Sequence, residues 1–427
     1  MKRVFMILGA ALALAGCGSK ATVSKEDTLM SIQIIDRNGF SETVSTKDRL
    51  SGYQKVDFCA PQPYQKVLRV FGKNQEHKSI AKLTSYHSNG HIKQYLEALD
   101  GRAHGIYREW HPSGIQKLEL QLIEGAAELS DTAMSSWVFE GVSKVWDEQG
   151  HLMAEISYDK GLLQGDSTYY YPEGQVKKKE PYQQGKIHGM VCLYDASGLL
   201  YESIPYVQDQ RQGQAKREGS FAYEELFDQD RLLKGSYFQG ETLVASVEEG
   251  HGFRAEVDEE SGKVQRLVEY KKGLPEGLVK VFDATGRILS QYSQKEGKKQ
   301  GQEWIYYLQE DQEARLRPKL LLHWQEDMMQ GVVKTWFPDG QQESQKELYQ
   351  NKKNGAFFAW YRNGDLMYSE EYERDLLSSG TYYKKGDKDP VSRVIKGKGV
   401  ATIYNVEGYF VRKVFYDKGT PSLEQEP

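Results

Sequence analysis

Residues 141–164 read GVSKVWDEQGHLMAEISYDKGLLQ, residues 165–188 read GDSTYYYPEGQVKKKEPYQQGKIH, and residues 189–212 read GMVCLYDASGLLYESIPYVQDQRQ. Set beneath one another, the three blocks of 24 share a first-place glycine (Gly141, Gly165, Gly189) and a sixth-place aromatic (Trp146, Tyr170, Tyr194). They also share a tenth-place glycine (Gly150, Gly174, Gly198) and an eighteenth-place tyrosine (Tyr158, Tyr182, Tyr206). The spacing of 24 recurs from Gly90 to Gly114, Gly262 to Gly286, Gly277 to Gly301, Gly331 to Gly355 and Gly340 to Gly364. A further column holds Gly101, Gly125, Gly161, Gly185, Gly273, Gly297 and Gly419. A chain with such a period is built from internal repeats, so its length does not count domains.

Local chemistry turns the columns into structure. Runs rich in aromatic and β-branched residues, such as 142–146, 278–282 and 332–336, end in the turn formers DEQG, YPEG, DASG, DATG, FPDG and YRNG. Glycine supplies the positive φ of a tight turn, and Asp, Asn, Ser or Pro before it favour the turn for their own reasons. A second strand then runs to the tyrosine column, and a glycine pair such as Gly161 and Gly165 leads into the next unit. Each repeat reads as one β-hairpin. A lone hairpin is marginal in water, so hairpins must stack edge to edge. The expected fold is all-β, an elongated solenoid of stacked antiparallel β-hairpins in 24-residue repeats forming one long twisted sheet. About a dozen hairpins, each advancing the sheet by roughly 10 Å, give a length on the order of 100 Å.

Departures from the grid set the expected organisation. Residues 17–65 read as a linker and N-terminal cap, 66–419 as the array and 420–427 as a tail. Insertions fall near 126–140 and 310–318, and degenerate repeats occupy 215–262. Insertions in a solenoid map to loops on one side, often a contact side.

Composition closes other doors. With 39% hydrophobic and 27% charged residues among 427, and a mean hydropathy of −0.68, the chain is not an integral membrane protein. Gly 41 and Tyr 28 beside Pro 12 and Cys 3 disfavour Pro-rich disorder and a disulfide-dense scaffold. The net charge of −5 comes from interleaved acids and bases, which leaves no nucleic-acid footprint.

The first residues decide the compartment. Lys2 and Arg3 precede an uncharged run over 4–15, too short to span a bilayer and suited to an export signal. Leu14-Ala15-Gly16-Cys17 resembles a bacterial lipobox, which makes 1–16 a lipoprotein signal peptide and Cys17 the lipid-anchor residue. An ordinary signal-peptidase site at Ala13-Leu14-Ala15 is the alternative. Two acyl chains give stable anchoring, at about 0.8 kcal/mol per buried methylene. By resemblance to Gram-negative lipoproteins, Gly18 in place of Asp directs the mature chain to the outer membrane, facing the periplasm or the surface. Cys59 and Cys192 either pair in that oxidising compartment or remain buried thiols.

On the glycine and aromatic columns, the chain resembles the bacterial variant of the MORN repeat, most nearly the YwqK-type antitoxin-like family, over roughly residues 66–419. The resemblance implies a membrane-associated scaffold that binds protein partners and is not an enzyme. An antitoxin-like role is the second implication, and it requires an exported toxin, because a lipid-anchored chain does not meet a cytoplasmic one.

Three groups of residues bear on site chemistry. His87, His91, His104 and His111 lie close together, but His104 and His188 share a column with Gln164, Gln212, Gln300, Gln330 and Asn354, so hydrogen bonding between hairpins explains them and no metal is expected. His87 and His91 flank the turn at Gly90 and are expected to point to water. No Walker lysine or nucleophile elbow is present, and Glu109, Asp147, Asp195, Asp283 and Asp339 fall at strand ends and turns, so neither catalysis nor a cofactor is expected. The sixth-place aromatics have two readings: a stacked core, or a groove lined by Trp110, Trp146, Trp336 and Trp360. In the second reading Arg108, Lys144, Lys280 and Lys334, two places upstream, share that face and the groove holds a peptide, glycan or lipid headgroup. Which face is the core stays open at this point.

Overall fold

The computed structural model describes residues 28–53, 56–57, 60–62, 65–259, 261–308 and 316–422. The signal segment, Cys17 and Cys59 lie outside them. The described residues form 36 strands and two short helices, every strand pairing is antiparallel, and no helix among them is long and apolar enough to cross a membrane. The chain divides at Gln210/Arg211 into two compact units. The all-β hairpin fold is as the columns predict.

Residues 165–188 show how one repeat is made. Gly165–Tyr170 pairs with Val176–Gln183, Ser167 facing Glu180. The tip is closed by Gly174 N–H donating to Tyr171 O (2.9 Å) and Tyr171 N–H donating to Gln175 O (2.8 Å), with Gly174 at φ 91°. The link to the next unit is itself a two-residue hairpin turn. Gln184 and Gly185 sit at φ 51° and 80°, and Lys186 already pairs with Gln183. Positive φ at both positions is the turn that matches strand twist. Where the glycine column lapses, Asp209, Asp327, Asn351 and Asp375 hold the same positive φ, 64° to 72°. First-place glycine marks a bulge in the returning strand: a Cβ on Gly189 would stand 2.9 Å from Pro181 Cγ.

Two regions cover the first unit's sheet. Thr28–Asp36 pairs with both Ser41–Val44 and Gln65–Lys73, and with the short helix Lys47–Ser51 it buries Ile32, Val44 and Leu50 against Tyr86, Ile92 and Trp110. The insertion after Gly125 carries the helix Asp131–Met134, capped by the Ser130 hydroxyl, and drives Trp137 against the Tyr107 ring at 4.7 Å. It completes a core with Leu83, Leu96 and Leu122. Apolar residues in the insertion seal the opposite face from the cap. The swollen hairpin closes by Tyr307 N–H donating to Arg317 O, and 309–315 lie outside the described residues.

The degenerate stretch is a module that occurs twice in the second unit. Residues 229–273 and 374–419 repeat the same three-turn arrangement. Leu232 N–H donates to Gly273 O, Gly273 N–H to Gly250 O and Gly250 N–H to Leu233 O. Leu377, Gly419 and Gly397 repeat the first donors, and Gly397 N–H closes on Ser378 O. Tyr237 and Tyr382 donate to the equivalent Glu225 and Glu370, each at 2.7 Å.

Candidate functional site

Alternation sorts the side chains onto two faces. One carries the eighteenth-place tyrosines together with third- and sixteenth-place residues; the other carries the sixth-place aromatics and fourth-place cations.

In each unit the tyrosine face holds carboxylates in hydrogen bonds. Glu180 accepts from Lys178 Nζ (2.5 Å) and Tyr182 Oη (3.3 Å). In the second unit, Glu225 accepts from Arg254 Nε and Tyr237 Oη, and Arg254 extends to Glu256 at 3.7 Å. Arg266 then bridges Glu256 and Tyr292 Oη. Lys299 sits 4.6 Å from the Tyr292 ring centroid and bonds both oxygens of Glu303, which also accepts from Trp324 Nε1. Arg211, Lys299 and Lys353 occupy equivalent positions over Phe227, Trp324 and Tyr372 at 4.1, 4.9 and 4.5 Å. Low dielectric makes such contacts strong and leaves an unpaired member costly. Glu370 is the exception in kind: Tyr382 and Tyr372 are its hydrogen-bond partners, and burial pushes its carboxyl above the ordinary value. These carboxylates are committed to holding the face together. Sequence reading missed them, looking for acids at turns; the Glu-x-Tyr spacing of Glu180/Tyr182 and Glu370/Tyr372 was the available signal.

The polar columns clasp neighbouring hairpins. Gln164, Gln212, Gln300 and Asn354 accept from the N–H of Gln184, Gln229, Glu326 and Arg374, and His104 Nδ1 donates to Ile123 O. His87 does not point to water: its Nε2 donates to Trp110 O at 2.9 Å and His111 Nε2 to Trp146 O at 3.3 Å. Tyr171, Tyr307 and Tyr361 make the same bond with their hydroxyls to Tyr194, Trp336 and Tyr383 carbonyls. His91 Nδ1 donates to Pro112 O. No group of three or more His, Cys, Asp or Glu among the described residues is placed to hold a metal ion.

The aromatic face is less enclosed, and its expected groove residues fall in different settings. Trp110 is 5% exposed, closed over by the N-terminal cap. Arg108 bonds Glu119 at 2.6 Å, and Lys144 bonds Glu155 at 2.9 Å beside half-buried Trp146. The Tyr170 hydroxyl and Lys144 together hold the Glu155 carboxyl below its usual value, while burial and Glu155 push Tyr170 up to about 12. In the second unit, Lys280 lies over the Phe253 ring at 5.5 Å. Lys334 faces Gln345 across the strands, two places before Trp336. Trp336 stacks on Trp304 (5.7 Å, 22°) and Trp360 on Phe358 (6.0 Å, 27°). Trp304, outside the sixth-place column, was missed. The structure therefore brings Lys334, Trp304 and Trp336 together as a half-buried patch and removes Trp110 from any open groove.

A family model described as MORN repeat variant matches residues 139–160 and 163–184, so these two segments are similar to that family's repeats. No curated protein matches the chain. MORN repeats generally serve as scaffolds for protein or membrane interaction and are typically non-catalytic.

Proposed function

We propose that this chain is a non-catalytic repeat scaffold, tethered through Cys17 to the outer membrane of a bacterial envelope, that offers the aromatic face of its second unit to a protein partner. The carrying observation is the contrast between faces. On the tyrosine face Glu180, Glu225, Glu303 and Glu370 all serve in structural hydrogen bonds, whereas the stacked pairs Trp304/Trp336 and Phe358/Trp360 stay half-buried on the aromatic face, with Lys334 two places before Trp336. Aromatic side chains with an adjacent cation are the side-chain types enriched where proteins bind one another. The tether rests on the Leu14–Cys17 segment.

The test is chemical crosslinking in intact cells, comparing wild type with Cys17→Ala. Envelope proteins recovered with wild type and lost with the variant support the reading; recovery of cytoplasmic proteins alone contradicts it. Mass spectrometry of the mature N-terminus should find Cys17 carrying a diacylglyceryl group, and an unmodified N-terminus at residue 16 or earlier removes the tether.

A further inference from the structure

The duplicated module of the second unit presents the same turns with opposite charge. In each copy the first residue of each turn is held at positive φ: Gln229, Glu249 and Lys272 in the earlier copy, Arg374, Lys396 and Lys418 in the later, all between 47° and 52°. Backbone contact fixes these positions. A Cβ on Gly250 would stand 2.5 Å from Gly273 N, and one on Gly397 2.6 Å from Gly419 N, so the three turns stay in close approach. Residues 229–273 carry seven basic and nine acidic side chains, net −2; residues 374–419 carry ten and five, net +5, in a chain whose total is −5.

Arg374, Lys396 and Lys418 rim one open cleft of about 450 Å³, floored by Leu377 and Gly419. All three are exposed, and they are absent from the ion pairs found among the described residues. Glu373 is the single acid on the rim. Three cations facing one cleft, against the single carboxylate of Glu373, form a site for an anion of more than one charge. Guanidinium and ammonium groups both recognise phosphate oxygens strongly.

We propose that this three-turn cleft binds a multiply charged phosphate group, and that the change from Gln229/Glu249 to Arg374/Lys396 is what separates the binding copy from the silent one. The proposal is independent of the aromatic-face reading. Its ligand is either a soluble or polymeric phosphate or the phosphate of a lipid headgroup.

The experiment uses the full chain carrying Cys17→Ala and inorganic tripolyphosphate, titrated by calorimetry at physiological salt. Wild-type residues in the cleft should give saturable binding at one site per chain. Arg374→Gln with Lys396→Glu installs side chains that the earlier copy already folds with, and should weaken binding by about tenfold or more. Gln229→Arg with Glu249→Lys should raise the stoichiometry to two. Tripolyphosphate displacing the chain from phosphatidic-acid vesicles assigns the lipid source, and tripolyphosphate binding without vesicle binding assigns the soluble one. Absence of saturable binding, or equal affinity in the Arg374→Gln/Lys396→Glu chain, overturns the proposal.

Discussion

Arg254 and Glu225 meet on the tyrosine face of the second unit, Nε donating to Oε1 at 2.7 Å and Nη2 to Oε2 at 3.4 Å, with the Glu225 side chain 2% exposed. The later copy of the module keeps the acid as Glu370 but puts Ala401 where Arg254 stands and Tyr372 where Phe227 stands. The hydroxyl of Tyr372 supplies the second hydrogen bond that the guanidinium supplies in the earlier copy.

Removing Arg254 leaves a buried carboxylate without its cation, so Arg254→Ala is expected to cost about 3–5 kcal/mol. Adding Phe227→Tyr should restore part of that loss, because it copies the arrangement around Glu370. Equilibrium urea unfolding of the two variants decides this. A loss within the error of wild type for Arg254→Ala would mean that the pair is structurally idle.

Glu370 gives the later copy a pH dependence of unusual sign. Burial raises its folded-state pKa above the ordinary 4.5, so the folded chain holds the proton more tightly than the unfolded one. Its contribution to stability is fully present below about 4.5 and is lost as the pH rises through the folded value. Glu370→Gln should therefore remove a component of stability that falls as the pH rises above about 4.5. Unfolding curves of both chains across that window check it; identical pH profiles would contradict the assignment.

Ser143 and Ser167 occupy the third place of their hairpins, where other repeats carry Val191, Val279 and Val333, and their hydroxyls are buried without a partner. Ser167→Val removes a desolvated hydroxyl and fills the same space, so it should stabilise the chain by about 1 kcal/mol. A thermal unfolding midpoint that falls would show the hydroxyl to be satisfied.

Asp327 holds φ 65° in a base turn and its carboxylate accepts the Lys299 N–H at 2.7 Å. Asp327→Ala loses that bond and keeps a Cβ in a left-handed conformation, an expected cost of about 1–2 kcal/mol. Asp327→Asn should be nearly neutral, as Asn351 does the same work for Met329 N–H. Paired denaturation midpoints separate the two.

The hairpins and their register were legible because tight turns restrict residue type: Gly185 at positive φ and Gly174 at the tip leave a mark at every repeat. The base turns at Asp209 and Asp327 were harder to read, because Asp and Asn adopt the same conformation without the glycine. Buried polar residues were illegible as core. Glu180 and Glu225 look like solvated strand residues until Lys178 or Arg254 is seen beside them. The duplication escaped the period of 24 because Glu225 and Glu370 are separated by 145 positions, which is not a multiple of it. Trp110 and Trp336 belong to one sequence column, yet only the cap made by Ile32 and Leu50 distinguishes a closed position from a half-buried one.

Site-specific photo-crosslinking in intact cells tests the central claim most directly. A photoreactive residue at Lys334, on the aromatic face, should capture an envelope protein in a manner that depends on Cys17, while one at Gln294, on the tyrosine face, should not. Equal capture from both positions, or capture of cytoplasmic proteins alone, would contradict the account.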